Sequence, residues 1–152
     1  MNASAHTALA LVRIVTGIVM FMHGLQKVTV YTIPGFQQVL AGMDFPAATL
    51  AGAVFPWVEI VVGIILVLGL GVRVAGAVTA LSMLVALFTM HLSAGFYADA
   101  GGYEFVLVLA VIGLALAISG GGKAGVDAAL TRTKAGSTGA SDEAARKTPA
   151  TV

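Results

Sequence analysis

Seven residues within or beside the long apolar stretches of this sequence have side chains that can bind a polar group or move a proton: Arg13, His23, Lys27, Glu59, His91, Tyr103 and Glu104. Their types point to two kinds of chemistry. Arg13 and Glu59 carry opposite charge and predict an internal ion pair. His23, His91 and Glu104, with Tyr103, Lys27 and Gln26 nearby, predict a polar cluster. A histidine can donate to a quinone carbonyl, and a neighbouring glutamate can accept a proton from a quinol. The cluster therefore reads as a pocket for a quinone headgroup or another small polar group, or as histidines whose hydrogen bonds are simply satisfied. His23, His91 and Glu104 are of metal-ligand type, but their spacing matches no metal signature, and no metal is expected. There is no Cys, which excludes disulfides, thiolate chemistry and cysteine metal sites. Gly120-Gly121-Gly122-Lys123 lacks the spacing and the following Ser or Thr of a phosphate loop. It reads as a helix stop with an interfacial lysine. No cofactor or nucleic-acid motif is present.

The elements that position these residues are apolar runs of about 20 residues, the length that crosses a bilayer as a helix. They fall at 7–25, 51–72, 74–94 and 103–119. The first lacks the basic flank and cleavage site of a signal peptide and reads as a retained helix. The fold class expected is all-α, a four-helix transmembrane bundle in residues 1–130. Composition agrees: 59% of the chain is hydrophobic and 10% charged, against about 25% charged in ordinary soluble domains. An ionisable group inside a spanning helix costs about 2.5–3.5 kcal/mol on insertion scales, so such groups turn inward and find partners. Arg13, Thr16, Met20, His23 and Lys27 recur at three- and four-residue spacing on one stripe of the first helix, which must face the bundle. From the rise per residue, the Arg13–Glu59 axial gap is roughly 7–10 Å, which a long arginine could nearly close. Its simplest role would be structural.

The connections differ. The second and third helices join tightly and should be antiparallel neighbours. In the longer first loop, Pro34 can open a helix. Ile33, Phe36, Val39, Leu40 and Met43 share its apolar face and Gly42 follows as a stop, so a short interfacial helix is expected. Lys123 and Asp127 could sit on another. Residues 131–152 are rich in Thr, Ser, Gly, Ala, Lys and Pro and are expected to form a disordered tail. Lys and Arg are most frequent in that tail and in the turn at Arg73, which places both termini in the cytoplasm. Trp57, Tyr97 and Tyr103 read as aromatic anchors at the opposite interface. A weak repeat relates the halves: Val-Arg and Met-His recur at Val12-Arg13 and Met22-His23, then at Val72-Arg73 and Met90-His91.

These residues, in this order, resemble the DoxX family of bacterial membrane proteins. The likeness is carried by Arg13-x3-Gly17, Phe21-Met22-His23-Gly24-x2-Lys27, Phe36 and Gly42. It continues through Pro56-x2-Glu59-x3-Gly63, Leu68-Gly69-Leu70, Arg73 and His91. It ends with Gly101-Gly102-Tyr103-Glu104, the Gly120–Gly122 run and Asp127. The resemblance covers roughly residues 9–130 and implies a four-helix protein of the bacterial inner membrane with a role in redox physiology. The family is named after a subunit of a thiosulfate:quinone oxidoreductase. Mycobacterial relatives are linked to a membrane complex with a superoxide dismutase and a thiosulfate sulfurtransferase. Soluble redox or stress-response proteins are thus expected partners, besides the lipid bilayer. Sulfur transfer would need such a partner, since this chain has no Cys.

Three functions follow as expectations. In the first, the chain is a membrane subunit of a redox or oxidative-stress system that binds quinone between its helices, an oxidoreductase subunit rather than a stand-alone enzyme. In the second, it is a scaffold for soluble partners without its own catalysis. In the third, it is a transporter of a small solute or of protons along the buried charges.

Overall fold

The computed structural model describes residues 3–122 and 125–127. The expected helix over Lys123 and Asp127 and the tail at 131–152 lie wholly or partly outside them. The described residues include five α-helices: α1 (Ala3–Thr29), α2 (Ile33–Gly42), α3 (Ala48–Leu68), α4 (Val72–Ala86) and α5 (Glu104–Ser119). α4 runs on without a break through a π-helical turn, Leu87–His91, and a 3₁₀ turn, Leu92–Ala94. Three of the apolar segments, Ala3–Thr29, Ala48–Leu68 and Val72–Ala94, are long enough to cross a membrane. α5 is equally apolar but has 16 residues, about 24 Å of helix. The fold is therefore an all-α bundle of three long apolar helices and a shorter fourth, with α2 lying across one end.

The surface confirms what surrounds it. Leu11, Val15, Ile18, Val74, Leu81, Phe88, Val111 and Ile118 all point outward. A water-soluble monomer rarely exposes a contiguous apolar surface of this kind; hydrocarbon accepts it. Two charged groups inside the spanning segments do the reverse, with Arg13 at 3% exposure and Glu59 at 8%. The bundle turns its few charges inward because lipid cannot solvate them.

Glycines set the helix pairing. A Cβ on Gly17 would lie 2.7 Å from the Gly63 carbonyl oxygen, and one on Gly24 would lie 2.6 Å from that of Pro56. α1 and α3 are thus in backbone contact at two levels. The second pair does the same: a Cβ on Gly76 would lie 2.7 Å from the Gly113 oxygen. The bundle is two glycine-seamed pairs, α1 with α3 and α4 with α5. Small residues serve this role in membranes because close approach maximises van der Waals contact where lipid gives no hydrophobic drive. α3 and α4, joined by Gly69-Leu70-Gly71, pack together near that turn, where Val62, Leu66, Val72, Ala75 and Leu116 form one cluster.

The helix limits follow local chemistry. α3 stops at Leu68, short of the expected limit at 72, because Gly69 (φ 73°) and Gly71 (φ 54°) are left-handed. α5 stops at Gly120 (φ 74°). α2 is capped by Thr32, whose hydroxyl accepts from the Gly35 amide, with Pro34 in its first turn. Its Phe36 and Leu40 bury against Ala51 of α3, while Val39 and Met43 stay exposed. Gln37 Nε2 donates to the Thr49 carbonyl at 2.8 Å and ties α2 to α3.

At the opposite end, Asp127 clasps the α3–α4 turn. Its amide donates to the Gly69 carbonyl at 3.2 Å, and its carboxylate accepts from the Gly71 amide at 3.1 Å. Arg13 lies under the same turn, where a Cβ on Gly69 would overlap its guanidinium. Gly69→Ala is therefore expected to cost more than the roughly 1–2 kcal/mol of a left-handed L-residue. Thermal unfolding in mild detergent measures it.

Candidate functional site

A cavity of about 420 Å³ lies between the two helix pairs at the end that carries α2. Its walls are mostly apolar: Met20, Phe36, Phe45, Phe55, Met83, Met90, Phe105 and Leu109 contribute. Four ionisable side chains join them: His23 and Lys27 from α1, Glu59 from α3, and His91 from the π turn. A small-molecule site typically has roughly 300–1,000 Å³ of space, apolar walls and a few placed polar groups.

Glu59 pairs with Lys27, not with Arg13. Lys27 Nζ donates to Glu59 Oε2 at 2.6 Å, with the side chains 17% and 10% exposed. The expected Arg13–Glu59 pair fails because of register. Antiparallel contacts Gly17–Gly63 and Gly24–Pro56 place Arg13 opposite Val67 and Glu59 opposite Phe21. That separates the two groups by about 12 Å along the axis, too far to close. Arg13 belongs to the Gly69 end, where Asp127 is the acid whose charge acts on it. Lys27 instead holds its Nζ over the Phe36 ring, 5.6 Å from the centroid, a cation–π arrangement, while it donates to Glu59.

The histidines are placed by other means. The His23 ring packs on Phe105 of α5, centroids 5.7 Å apart, so the two rings meet on the α1–α5 side of the cavity. His91 Nδ1 is 2.7 Å from the Gly101 carbonyl oxygen. A carbonyl only accepts, so Nδ1 carries the hydrogen, and Nε2 of the neutral ring is left as an acceptor. The π turn matters here. One extra residue per turn rotates the chain, and both Met90 and His91 line the cavity. Such turns are frequent at functional sites.

Glu104 and Tyr103 serve the loop beside the cavity. Glu104 Oε1 accepts from the Ala98 amide at 2.9 Å. Tyr103 packs on the cluster of Met20, Met83, Leu87, Val106 and Leu109, with its ring edge-on to Phe96. Together they fold the 95–102 segment so that Gly101 meets His91. Of the seven expected residues, the cavity brings together His23, Lys27, Glu59 and His91. Tyr103 and Glu104 support it from behind, and Arg13 is at the other end. Sequence reasoning missed the aromatic lining by Phe45, Phe55 and Phe105, which carry no signal beyond being apolar. Among the described residues, no group of three or more His, Asp or Glu is placed to hold a metal.

An all-helical apolar bundle with inward charges and a polar-tipped internal cavity defines an integral membrane protein. The chain belongs to the DoxX family, whose pattern matches residues 8–92. It is also similar to a protein of Bacillus subtilis (strain 168) named "Putative oxidoreductase CatD", with 32% identity over 116 residues, 76% of this chain and 83% of that protein. No solved structure matches.

Proposed function

We propose that this protein is a membrane subunit of a redox or oxidative-stress system and that its cavity holds a quinone headgroup. The observation that carries the reading is the convergence of His23, His91 and the Lys27–Glu59 pair on one aromatic-walled space inside an apolar bundle. The name of the Bacillus subtilis relative lends it weak support. Flat aromatic walls suit a flat ring. The Lys27 ammonium, held by Glu59, offers a donor to a quinone carbonyl. His91 Nε2, left as an acceptor, can take a quinol proton, and His23 faces the same space. Quinol oxidation releases two electrons with two protons. The residues here handle protons; the electrons go to a redox centre on a partner, and a soluble redox or stress-response protein fits that part. The reading places the protein in the bacterial inner membrane with both termini in the cytoplasm, so the cavity opens toward the outer leaflet.

The test is direct. The protein, purified in mild detergent, should show a saturable thermal shift with a headgroup-only benzoquinone. His91→Phe and His23→Phe should each weaken that binding about tenfold, the effect of losing one hydrogen bond of roughly 1–1.5 kcal/mol in a dry site. Absence of any shift, together with no quinone in the lipid extract of protein from native membranes, would remove the proposal. Proteoliposome flux abolished by Glu59→Gln would favour transport instead.

A further inference from the structure

We propose that the cavity's ligand enters from the bilayer through a window between α3 and α4, and that it carries a single apolar tail which lies in that window. The inference rests on the quinone reading of the same cavity and names the tail and the route. The helix pairing creates the window. α3 and α4 pack together near their shared turn, in a cluster against which Val58 and Val78 also pack. The other end is roofed where Phe55 and Met90 meet the cluster of α2. Between these two closures, Leu81, Ser82 and Val85 of α4 line the cavity. They continue the stripe that begins at Val78, at helical spacing. Leu81 is at once a cavity wall and 65% exposed, so the cavity reaches the outer surface of the bundle at this point.

On the opposite side the bundle is filled at mid-depth, and of the α1 and α5 residues lining the cavity only His23 and Phe105, nearer the end, are exposed. His23 packs on Phe105, and Met20 is buried among Val106, Leu109 and Ala110. Depth decides what the opening faces. Leu81, Ser82 and Val85 are central in the 23-residue apolar segment Val72–Ala94, so they sit near the middle of the hydrocarbon layer. His91 is near the end of that segment, and His23 and Lys27 are near the end of α1. A ligand must therefore have its polar end near one membrane face and its apolar end at mid-depth. That is the profile of an isoprenoid-type quinone, whose tail never needs to leave lipid. A water-soluble ligand would have no use for an opening at that depth.

The chain has no Cys, so single cysteines report cleanly. Nanodiscs holding the full chain are irradiated with a decyl-tailed benzoquinone carrying an azide at the tail end. Crosslinks competed by excess azide-free decyl-quinone should map to the facing surfaces of α3 and α4 around Phe55 and residues 81–85. Ser82→Cys modified with a bulky maleimide should lower the competed yield at least tenfold. Val111→Cys, on the lipid face of α5, should leave it unchanged after the same modification. Competed crosslinks on α1, α2 or α5, or a yield indifferent to the Ser82 label, would overturn the lateral route. If the headgroup-only quinone still shifts the melting temperature, that result spares the cavity reading. If neither probe binds in a competed manner, the quinone reading itself falls, and the route with it.

Discussion

Lys27→Met is expected to destabilise the protein by about 3–5 kcal/mol, the cost of leaving one partner of a buried ion pair alone. Glu59 is 8% exposed and Lys27 Nζ is its partner at 2.6 Å. Without that ammonium, the carboxylate either stays charged in a dry site or takes up a proton to become neutral, and both cost free energy. The double variant Lys27→Met with Glu59→Met removes both charges and should recover most of the loss. Buried pairs replaced by apolar residues of similar volume are often neutral or better. Thermal unfolding in mild detergent, run as a double-mutant cycle, gives the coupling. Arg13→Met is the discriminating control. It should also destabilise, but Glu59→Met should not rescue it, because Arg13 works at the Gly69 end. A rescue there would mean that the register is wrong. The charge-free double variant should fold yet lose the headgroup-quinone shift, which separates the pair's part in stability from its part in the site.

Much of the architecture is legible in the chain because hydrocarbon imposes simple demands. Apolar runs must be long, and Arg13 and Glu59 must turn inward; both are readable from residue type alone. α2 is readable from Pro34 and the spacing of Phe36 and Leu40. The partner of Glu59 is not. Helix lengths fix depth only loosely, and the choice between Arg13 and Lys27 is made by where Gly17 meets Gly63. That crossing is a tertiary fact, and many glycines in the sequence could have supplied it. The residue types predict a cluster of His23, His91 and Glu104, whereas Glu104 and His91 each take a loop-backbone partner, at Ala98 and Gly101. A backbone partner leaves no mark in the sequence. Nor does the π turn, whose residues Leu87–His91 look like ordinary helix. The chemistry-bearing residue types were thus visible, while their pairing depended on register and loop geometry.

The same register makes Gly63 a sensitive small residue of the α1–α3 seam. Alanine in place of glycine within a helix is ordinarily favoured by up to about 1 kcal/mol through backbone entropy. At Gly63 the sign should reverse. A Cβ there would lie 2.6 Å from both the Gly17 oxygen and the Phe21 amide nitrogen. Both are backbone atoms in a paired helix and cannot step aside, so α1 and α3 must separate. Overpacking of this kind costs typically about 1–3 kcal/mol. Gly42→Ala is the control, since nothing lies within 4 Å of its added carbon; it should be neutral or slightly stabilising. Gly113→Ala reports on the other pair, where the Cβ would lie 2.7 Å from the Ala80 nitrogen. The two should differ in function. Gly63 is one turn from Glu59, so separating α1 from α3 draws Lys27 away from its partner and weakens quinone binding directly. Gly113 is one turn from Leu109, an apolar wall of the cavity, so Gly113→Ala should lower the melting temperature while leaving the Lys27–Glu59 pair in place. Equal losses of binding in the two variants would mean that the cavity depends on the bundle as a whole rather than on the α1–α3 seam.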